Sequence, residues 1–111
     1  MQQSVAIIFG VVLIVVGVAG FVVPPAKAPT SGAPAYNTFH LVFGVVGIGL
    51  GISGATPARA FTIAFGLIDL YQLVASRAGW YPKQVFRWTP TDDVLHLIVG
   101  LGLIGVGVFA G

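Results

Sequence analysis

The stretch VAIIFGVVLIVVGVAGFVV, residues 5–23, is an uninterrupted apolar run of 19 residues. At a helical rise of about 1.5 Å per residue, such a run crosses a hydrocarbon core of about 30 Å. A secretory signal peptide is the alternative, because Ala26-Lys27-Ala28 resembles a cleavage site. However, the start MQQS has no basic residue, the run is too long, and Pro29 would follow the cut. We therefore predict a retained first transmembrane helix that ends at Pro24-Pro25.

The composition requires a lipid-facing surface for the whole chain. Of its 111 residues, 57% are apolar and only 7% are charged, whereas a soluble domain carries about 25% charged residues. The net charge of +2 is small, and the basic residues form no patch with interleaved aromatics, so nucleic acid is not an expected partner. The absence of cysteine excludes disulfides, thiolate metal sites and cysteine nucleophiles.

Three further apolar spans follow the first one. The loop PPAKAPTSGAP, residues 24–34, has no apolar periodicity, and Ser53-Gly54 with Thr56-Pro57 marks a tight turn. The four predicted spans are about 5–23, 36–54, 58–76 and 93–110. With short connections, they predict a single all-α domain over residues 1–111, a transmembrane antiparallel four-helix bundle.

Glycines are concentrated in the second and fourth spans. Membrane helices associate through small residues that let their backbones approach closely. Gly47-x-x-x-Gly51 and Gly107-x-x-x-Gly111 have the spacing of such contact motifs. Room for a flat cofactor is the alternative, but glycine is common in membrane helices, so we favour tight helix packing.

The loops after spans one and three carry most of the positive charge. They contain Lys27, Arg77, Lys83 and Arg87, whereas the opposite side has only Arg59. Positive charge predominates in cytoplasmic loops, so we expect these loops in the cytoplasm and both termini outside, in a bacterial inner membrane. We predict contacts with lipid headgroups, or with a partner, for the side chains of Trp80, Tyr81, Lys83, Phe86, Arg87 and Trp88.

One sequence motif with polar residues occurs twice, as YNTFHLVFG at residues 36–44 and TDDVLHLIVG at residues 91–100. The alignment pairs His40 with His96, and Asn37 with Asp93. Two helices separate the copies, which predicts two parallel-related helical hairpin repeats around a pseudo-twofold axis along the membrane normal. Both histidines would then lie at the same depth, about one turn inside the cytoplasmic boundary.

The polar residues before each histidine have the character of helix caps. Asn37 and Asp93 lie where the second and fourth spans begin, and an Asn or Asp at the N-cap accepts a hydrogen bond from an unpaired backbone N–H. Asp92 and Asp93 also suit the positive end of the helix dipole. We therefore predict that Asn37, Asp92 and Asp93 are structural caps.

Capping does not explain the histidines, and the third span supplies candidate partners for them. Asp69 lies about seven residues, roughly 10 Å, from the cytoplasmic end of that span. Gln72 follows one turn nearer the surface on the same helical face. We predict one polar layer made of His40, His96 and Gln72 with Asp69 beneath it, and intramembrane ionisable residues are functional candidates.

Several motifs in a fixed order resemble those of a known family. They are Gly20-Phe21 with Pro24, Asn37-x-x-His40-Leu41 with Phe43-Gly44, Ala58-Arg59, and Pro90-x-Asp92-Asp93-x-Leu95-His96-Leu97. They resemble a bacterial family of small four-helix membrane proteins catalogued as a domain of unknown function (DUF family 4383). Members usually have Asn at the position of Asp93, often His at that of Tyr36, and a longer first loop. The resemblance implies fold and topology, but no activity.

Three functions remain open from the sequence. The first is a structural or accessory subunit that packs against other membrane proteins or a second copy. The second is a cofactor module in which His40 and His96 are axial ligands of haem or ligate a chlorophyll-type pigment, with Asp69 and Gln72 orienting the imidazoles. The third is proton or small-solute transport through the His/Asp layer. Catalysis is the least expected class, because no nucleophile arrangement is present and the two histidines with one carboxylate are only a weak metal-site signal.

Overall fold

The structure, a computed structural model, describes residues 2–22, 33–81 and 86–109. Four helices form its framework: α1 (Gln2–Val22), α2 (Pro34–Ser53), α3 (Ala55–Ala78) and α4 (Pro90–Phe109). All four are long and apolar enough to cross a membrane. A helix suits lipid because it satisfies its own backbone hydrogen bonds. The predicted all-α transmembrane helical bundle is confirmed.

The helices begin two or three residues earlier than the predicted spans. Pro34 is the first residue of α2, where a missing N–H is harmless and the fixed φ suits a helix. The end of the first span at Val23, its Pro24-Pro25 stop and Lys27 lie outside the described residues.

Glycines end two of the helices. Gly54 alone separates α2 from α3, with a φ of 149° that side-chain-bearing residues rarely adopt, so the predicted turn is confirmed. Gly79 ends α3 in the left-handed conformation, with its N–H bonded to the Ala75 carbonyl. Together they fix the ends of α3, which packs against each of the other three helices.

The most extensive contacts join α1 to α2 and α3 to α4, so the bundle consists of two antiparallel hairpins. In the first hairpin a Cβ built on Gly10 would lie 2.7 Å from the carbonyl oxygen of Gly44. In the second, a Cβ on Gly66 would lie 2.9 Å from the carbonyl oxygen of Gly100. Gly66 follows Gly10, and Gly100 follows Gly44, by the same number of residues that separates His40 from His96. The two contacts therefore occupy equivalent positions in the two hairpins.

A second pair of equivalent contacts is separated by the same number of residues along the sequence. Gly51 packs against Ile7, and Gly107 packs against Ile63. Both residues of the Gly47-x-x-x-Gly51 motif lie at helix contacts, whereas Gly111 of the other motif lies outside the described residues. Within the described part of the chain, Gly49, Gly102 and Gly105 of the same two helices have open space where a Cβ would be. The glycines of α2 and α4 therefore divide into packing positions and open positions.

The two hairpins pack against each other through an aromatic core. A polar contact also joins them, at the end of the bundle opposite the histidines. Phe9 of α1 and Phe65 of α3 make an edge contact with centroids 5.4 Å apart, and Phe61 stacks on Phe65. Gln2 Nε2 donates to the carbonyl of Val106 at 2.7 Å, which ties the start of α1 to the end of α4. Elsewhere along their described lengths, α1 and α4 have few backbone contacts with each other.

Candidate functional site

Tyr36 is the centre of the polar cluster at the histidine end of the bundle. Its hydroxyl lies 2.7 Å from His96 Nε2 and 3.4 Å from an oxygen of Asp92. Its ring packs against the imidazole of His40, with centroids 4.2 Å apart. All four side chains are buried. The tyrosine thus links the first turn of α2 to the first turn of α4, and it stands between the two histidines.

Asp92 is held by a capping box at the start of α4. Its carboxylate accepts from the backbone N–H of Thr89 at 2.8 Å and from the Thr89 hydroxyl at 2.9 Å. The Thr89 hydroxyl in turn accepts from the Asp92 backbone N–H at 3.2 Å. This reciprocal arrangement satisfies two backbone donors at the helix start. Thr89 is the N-cap, and Asp92 completes the box from inside the first turn.

The other two predicted caps have different roles. The prediction for Asn37 is wrong, because α2 begins at Pro34 and Ala33 occupies the N-cap. The buried amide of Asn37 instead packs against Gly20, where a Cβ would collide with it. The side chain of Asp93 is likewise not the cap, since α4 starts earlier, and it pairs with Arg77 at 3.4 Å between Nε and Oδ2.

A second hydrogen-bonded chain runs along α3. Gln72 Nε2 donates to Asp69 Oδ1 at 3.2 Å, and the indole N–H of Trp88 donates to Gln72 Oε1 at 3.0 Å. The three side chains are buried. The hydrogen bond of Asp69 is therefore to Gln72, not to an imidazole. The prediction of Trp88 as a lipid contact is wrong, because its indole lies inside the bundle and only 8% of its surface is exposed.

The remaining predicted interfacial residues lie as follows. Trp80, Tyr81 and Arg87 are exposed, whereas Phe86 is half-buried with its ring centroid 5.2 Å from that of Tyr36. Lys83 lies outside the described residues.

A cavity of about 220 Å³ lies between the four helices next to this cluster. Its polar lining consists of Tyr36, His40, Asp69, Asp92 and His96. Its apolar lining consists of Phe9, Val12, Leu13, Val16, Phe65, Leu95 and Val99. The structure therefore brings both predicted histidines and Asp69 to one cavity, with Gln72 behind Asp69.

The histidines have unused hydrogen-bonding capacity. Three buried side-chain atoms have no hydrogen-bond partner within the described residues. They are His40 Nδ1, His96 Nδ1 and the second carboxylate oxygen of Asp93. Buried polar atoms are nearly always paired, and leaving one unpaired is unfavourable by about 1–3 kcal/mol. Both imidazoles line the cavity, although their Nδ1 atoms are buried away from its open space.

The match to a family model covers almost the whole chain. The model of the family described as a domain of unknown function (DUF4383) matches residues 3–109. The chain belongs to this family. No curated protein and no solved structure matches the chain. The family has no assigned activity, so the chemistry of the site has to be argued from its geometry.

Two features of this family member were missed at the sequence level. Tyr36 lies one helical turn before His40 and so shares its face, a signal that identifies it as a neighbour but not as the link to His96. Trp88 gave no signal of burial, because tryptophan beside Arg87 is typical of a membrane interface. Among the described residues, no group of three His, Cys, Asp or Glu side chains is placed to hold a metal ion.

Proposed function

We propose that this protein is a membrane-embedded binding protein for a small molecule that enters its cavity from the bilayer. One observation carries the proposal: a cavity of about 220 Å³ inside the bundle is lined by apolar side chains and by the buried polar side chains of His40, His96 and Asp69. Packing alone accounts for the glycine contacts, but it does not fill this space. A bound molecule with an apolar body and one polar group would suit both parts of the lining.

The position of the mouth supports entry from lipid. Val12 and Val16 of α1 and Leu95 of α4 line the cavity and are 47%, 38% and 44% exposed. They face outward on helices that all have the length and apolar character of membrane spans. The cavity thus opens between α1 and α4 at the level of the hydrocarbon. A ligand that uses this mouth has an apolar body, and its polar group goes to the inner end.

A cavity-filling variant tests the proposal. Val99 lines the cavity, whereas Leu101 on the same helix is 57% exposed. We expect native mass spectrometry of the purified protein to detect a retained small molecule in the wild type and in Leu101→Trp, but not in Val99→Trp. If the wild type and both variants retain the same molecules, or none, the cavity is not a binding site.

Axial ligation of haem is less well supported by the same geometry. A haem held from both sides needs the two imidazoles to face each other across its plane. Tyr36 stands between them and already contacts His96 Nε2. The cavity is also smaller than the roughly 300–1,000 Å³ of ordinary cofactor and ligand pockets. The haem or pigment hypothesis remains a prediction, and a purified protein without a Soret band would remove its haem form.

The other two predicted functions stay open. A structural or accessory role beside other membrane subunits, or a second copy, rests on small size and exposed apolar faces, which lipid also explains. Transport needs a polar path, and the polar cluster occupies one end of the bundle, with Phe9, Phe61 and Phe65 packed beyond it. Proton or solute flux in liposomes that is unchanged in Asp69→Asn would exclude the transport hypothesis.

We further propose that the connections after α1 and α3 are cytoplasmic and both termini are outside, from the distribution of positive charge. Because the chain has no cysteine, single substitutions test this directly. A membrane-impermeant maleimide added to intact cells should label Ser53→Cys, at the end of α2, and not Tyr81→Cys, after α3. Both side chains are exposed, so the opposite labelling pattern would reverse the topology.

A further inference from the structure

The class of ligand follows from the charges around the cavity, if the proposed binding function holds. The chain has three acidic residues, Asp69, Asp92 and Asp93. Asp92 accepts hydrogen bonds from Thr89 at the positive end of α4, and Asp93 pairs with Arg77. Asp69 is buried in the interior of α3. Within the described part of the chain, it is the carboxyl group with neither a cation nor a helix N-terminus beside it.

One oxygen of Asp69 remains open to a ligand. Oδ1 accepts from Gln72 Nε2 at 3.2 Å. The Trp88 indole N–H can only donate, so its bond of 3.0 Å to the Gln72 oxygen turns the amide NH2 of Gln72 toward Asp69. Asp69 Oδ2 has no hydrogen-bond partner within the described residues, yet it is not enclosed by protein as the unpaired histidine nitrogens are. Because Asp69 lines the cavity, Oδ2 is an atom that a bound group can reach.

This oxygen disfavours an anion and favours a cation. A phosphate or carboxylate in the cavity would face Asp69 and Asp92, and the described lining contains no lysine or arginine to balance it. An unbalanced charge in a low-dielectric site is strongly disfavoured. A neutral hydroxyl would donate to Oδ2 without balancing the charge of the carboxylate. An ammonium group donates to Oδ2 and balances that charge, and such charge-assisted hydrogen bonds are the stronger ones.

An amine can also reach this site from lipid without burying a net charge. It crosses the bilayer as its neutral base and meets Asp69 in the protonated form. The carboxyl O–H bond then breaks and an N–H bond forms, because an alkyl amine is a much stronger base than a carboxylate. The resulting ion pair has the same total charge as the two neutral partners, so the cavity stays neutral overall.

The rest of the lining suits an apolar body that contains a ring. Phe9, Tyr36 and Phe65 all line the cavity, and the faces of aromatic rings attract an ammonium group within about 6 Å. An apolar protein cavity of about 150 Å³ holds one benzene molecule, and this cavity measures about 220 Å³. It therefore has room for one six-membered ring with a short aminoalkyl arm. An inorganic cation would leave this apolar space unfilled.

From these features we infer that the cavity binds a small lipid-soluble amine as its ammonium ion, with the carboxylate of Asp69 as the counter-charge. Gln72 holds one oxygen of that carboxylate, and the ammonium group takes the other. The apolar part of the amine extends toward the mouth between α1 and α4.

Three probes that share one ring test the inference on the purified full-length protein. They are benzylamine, benzyl alcohol and toluene, which differ in the group that Asp69 would meet. The unfolding temperature is measured against the concentration of each probe, which gives an apparent Kd. We expect benzylamine to bind about tenfold or more tightly than the other two, because it alone forms a charge-assisted hydrogen bond.

Two substitutions that each remove one negative charge locate the effect. Asp69→Asn keeps an oxygen for Gln72 but removes the counter-charge, so it should abolish the preference for benzylamine. Asp93→Asn removes a carboxylate that does not line the cavity, so it should keep the preference. Each variant is compared with its own unfolding temperature in the absence of probe.

Solid-state NMR gives a second test on the wild-type protein. The acidic residues of the chain are three aspartates, so labelling of aspartate with carbon-13 marks few carboxyl carbons. With nitrogen-15 benzylamine bound, we expect a dipolar contact between the amine nitrogen and the carboxyl carbon of Asp69. A contact with Asp92 or Asp93 alone, or no contact with any of the three, would contradict the assignment.

The outcomes separate the ligand class from the binding function. Equal or tighter binding of benzyl alcohol or toluene would overturn the amine class while leaving a binding cavity. A lack of response to benzylamine, or a preference for it that survives in Asp69→Asn, would also overturn the inference. The mass-spectrometric comparison of Val99→Trp with Leu101→Trp decides the binding function separately.

Discussion

The close approach of α1 and α2 at Gly44 gives the most direct test of the fold. In the variant Gly44→Ala, the new Cβ would lie 2.6 Å from Cγ1 of Ile14 and 2.7 Å from the carbonyl oxygen of Gly10. The second neighbour is backbone and cannot rotate away. The helices must therefore separate to admit the methyl group. Gly49, on the same helix, is the matched control, since no described atom lies within 4 Å of a Cβ there.

The expected size of the effect follows from two opposing contributions. Alanine favours the helix over glycine by about 0.8–1.0 kcal/mol at either position. Overpacking at a close contact is unfavourable by about 1–3 kcal/mol. Gly49→Ala should therefore leave stability unchanged or raise it by up to about 1 kcal/mol. Gly44→Ala should be less stable than Gly49→Ala by about 1–3 kcal/mol, because helix propensity cancels in that comparison.

The equivalent position in the second hairpin should respond more weakly. A Cβ on Gly100 would lie 3.0 Å from Cδ2 of Leu70 and from the carbonyl oxygen of Gly66. The end of a leucine side chain can move, so we expect Gly100→Ala to lower stability less than Gly44→Ala does. Gly102→Ala is the control in this helix, since Gly102 has open space within the described structure.

Reversible unfolding of all four variants in mixed micelles, with the wild type as reference, measures these differences. The close-approach explanation is refuted if Gly44→Ala is as stable as Gly49→Ala. It is also refuted if the two open positions are as sensitive as the packed ones, because the effect would then come from helix propensity.

Three further predictions concern the polar contacts and use the same unfolding assay. Tyr36→Phe removes the hydroxyl that pairs with His96 Nε2, so we expect the free energy of unfolding to fall by about 1–3 kcal/mol. An unchanged free energy of unfolding would contradict a buried hydrogen bond between the two side chains. Thr89→Ala removes the N-cap of α4 that pairs with Asp92 and should lower stability by about 0.5–2 kcal/mol, whereas Thr89→Ser should restore it. Gln2→Ala removes the contact with the end of α4 and should lower stability by about 0.5–1.5 kcal/mol; a neutral result would show that this contact does not hold the hairpins together.

The pattern of contacts bears on the predicted hairpin repeat. The alignment of His40 with His96 was evident for the second and fourth spans, but the first and third spans share little sequence. Gly10 and Gly66 nevertheless pack against Gly44 and Gly100 at equivalent positions. These contacts favour the repeat, which remains a prediction. Such a relation is hard to detect in sequence, because a membrane helix conserves close approach through small residues rather than through particular side chains.

The errors in the predicted caps have one cause. From sequence, the second and fourth spans are predicted to start at about Tyr36 and Asp93, although proline can occupy the first turn of a helix without loss of a hydrogen bond. Pro34 and Pro90 therefore begin their helices three residues before Asn37 and Asp93. Asn37 lies inside α2 as a result, and the side chain of Asp93 was left to pair with Arg77.

By itself, the sequence determined the class of the protein, the number of its helices and the candidates for its polar site. The long apolar runs leave a helix as the way to satisfy the backbone in lipid, and scarce polar residues in such runs stand out as candidates. The tertiary structure alone decided which of them meet. The link from Tyr36 to His96, the burial of Trp88 against Gln72 and the cavity itself depend on how the two hairpins pack. That packing is set by van der Waals contacts between distant segments, which no local pattern in the chain encodes.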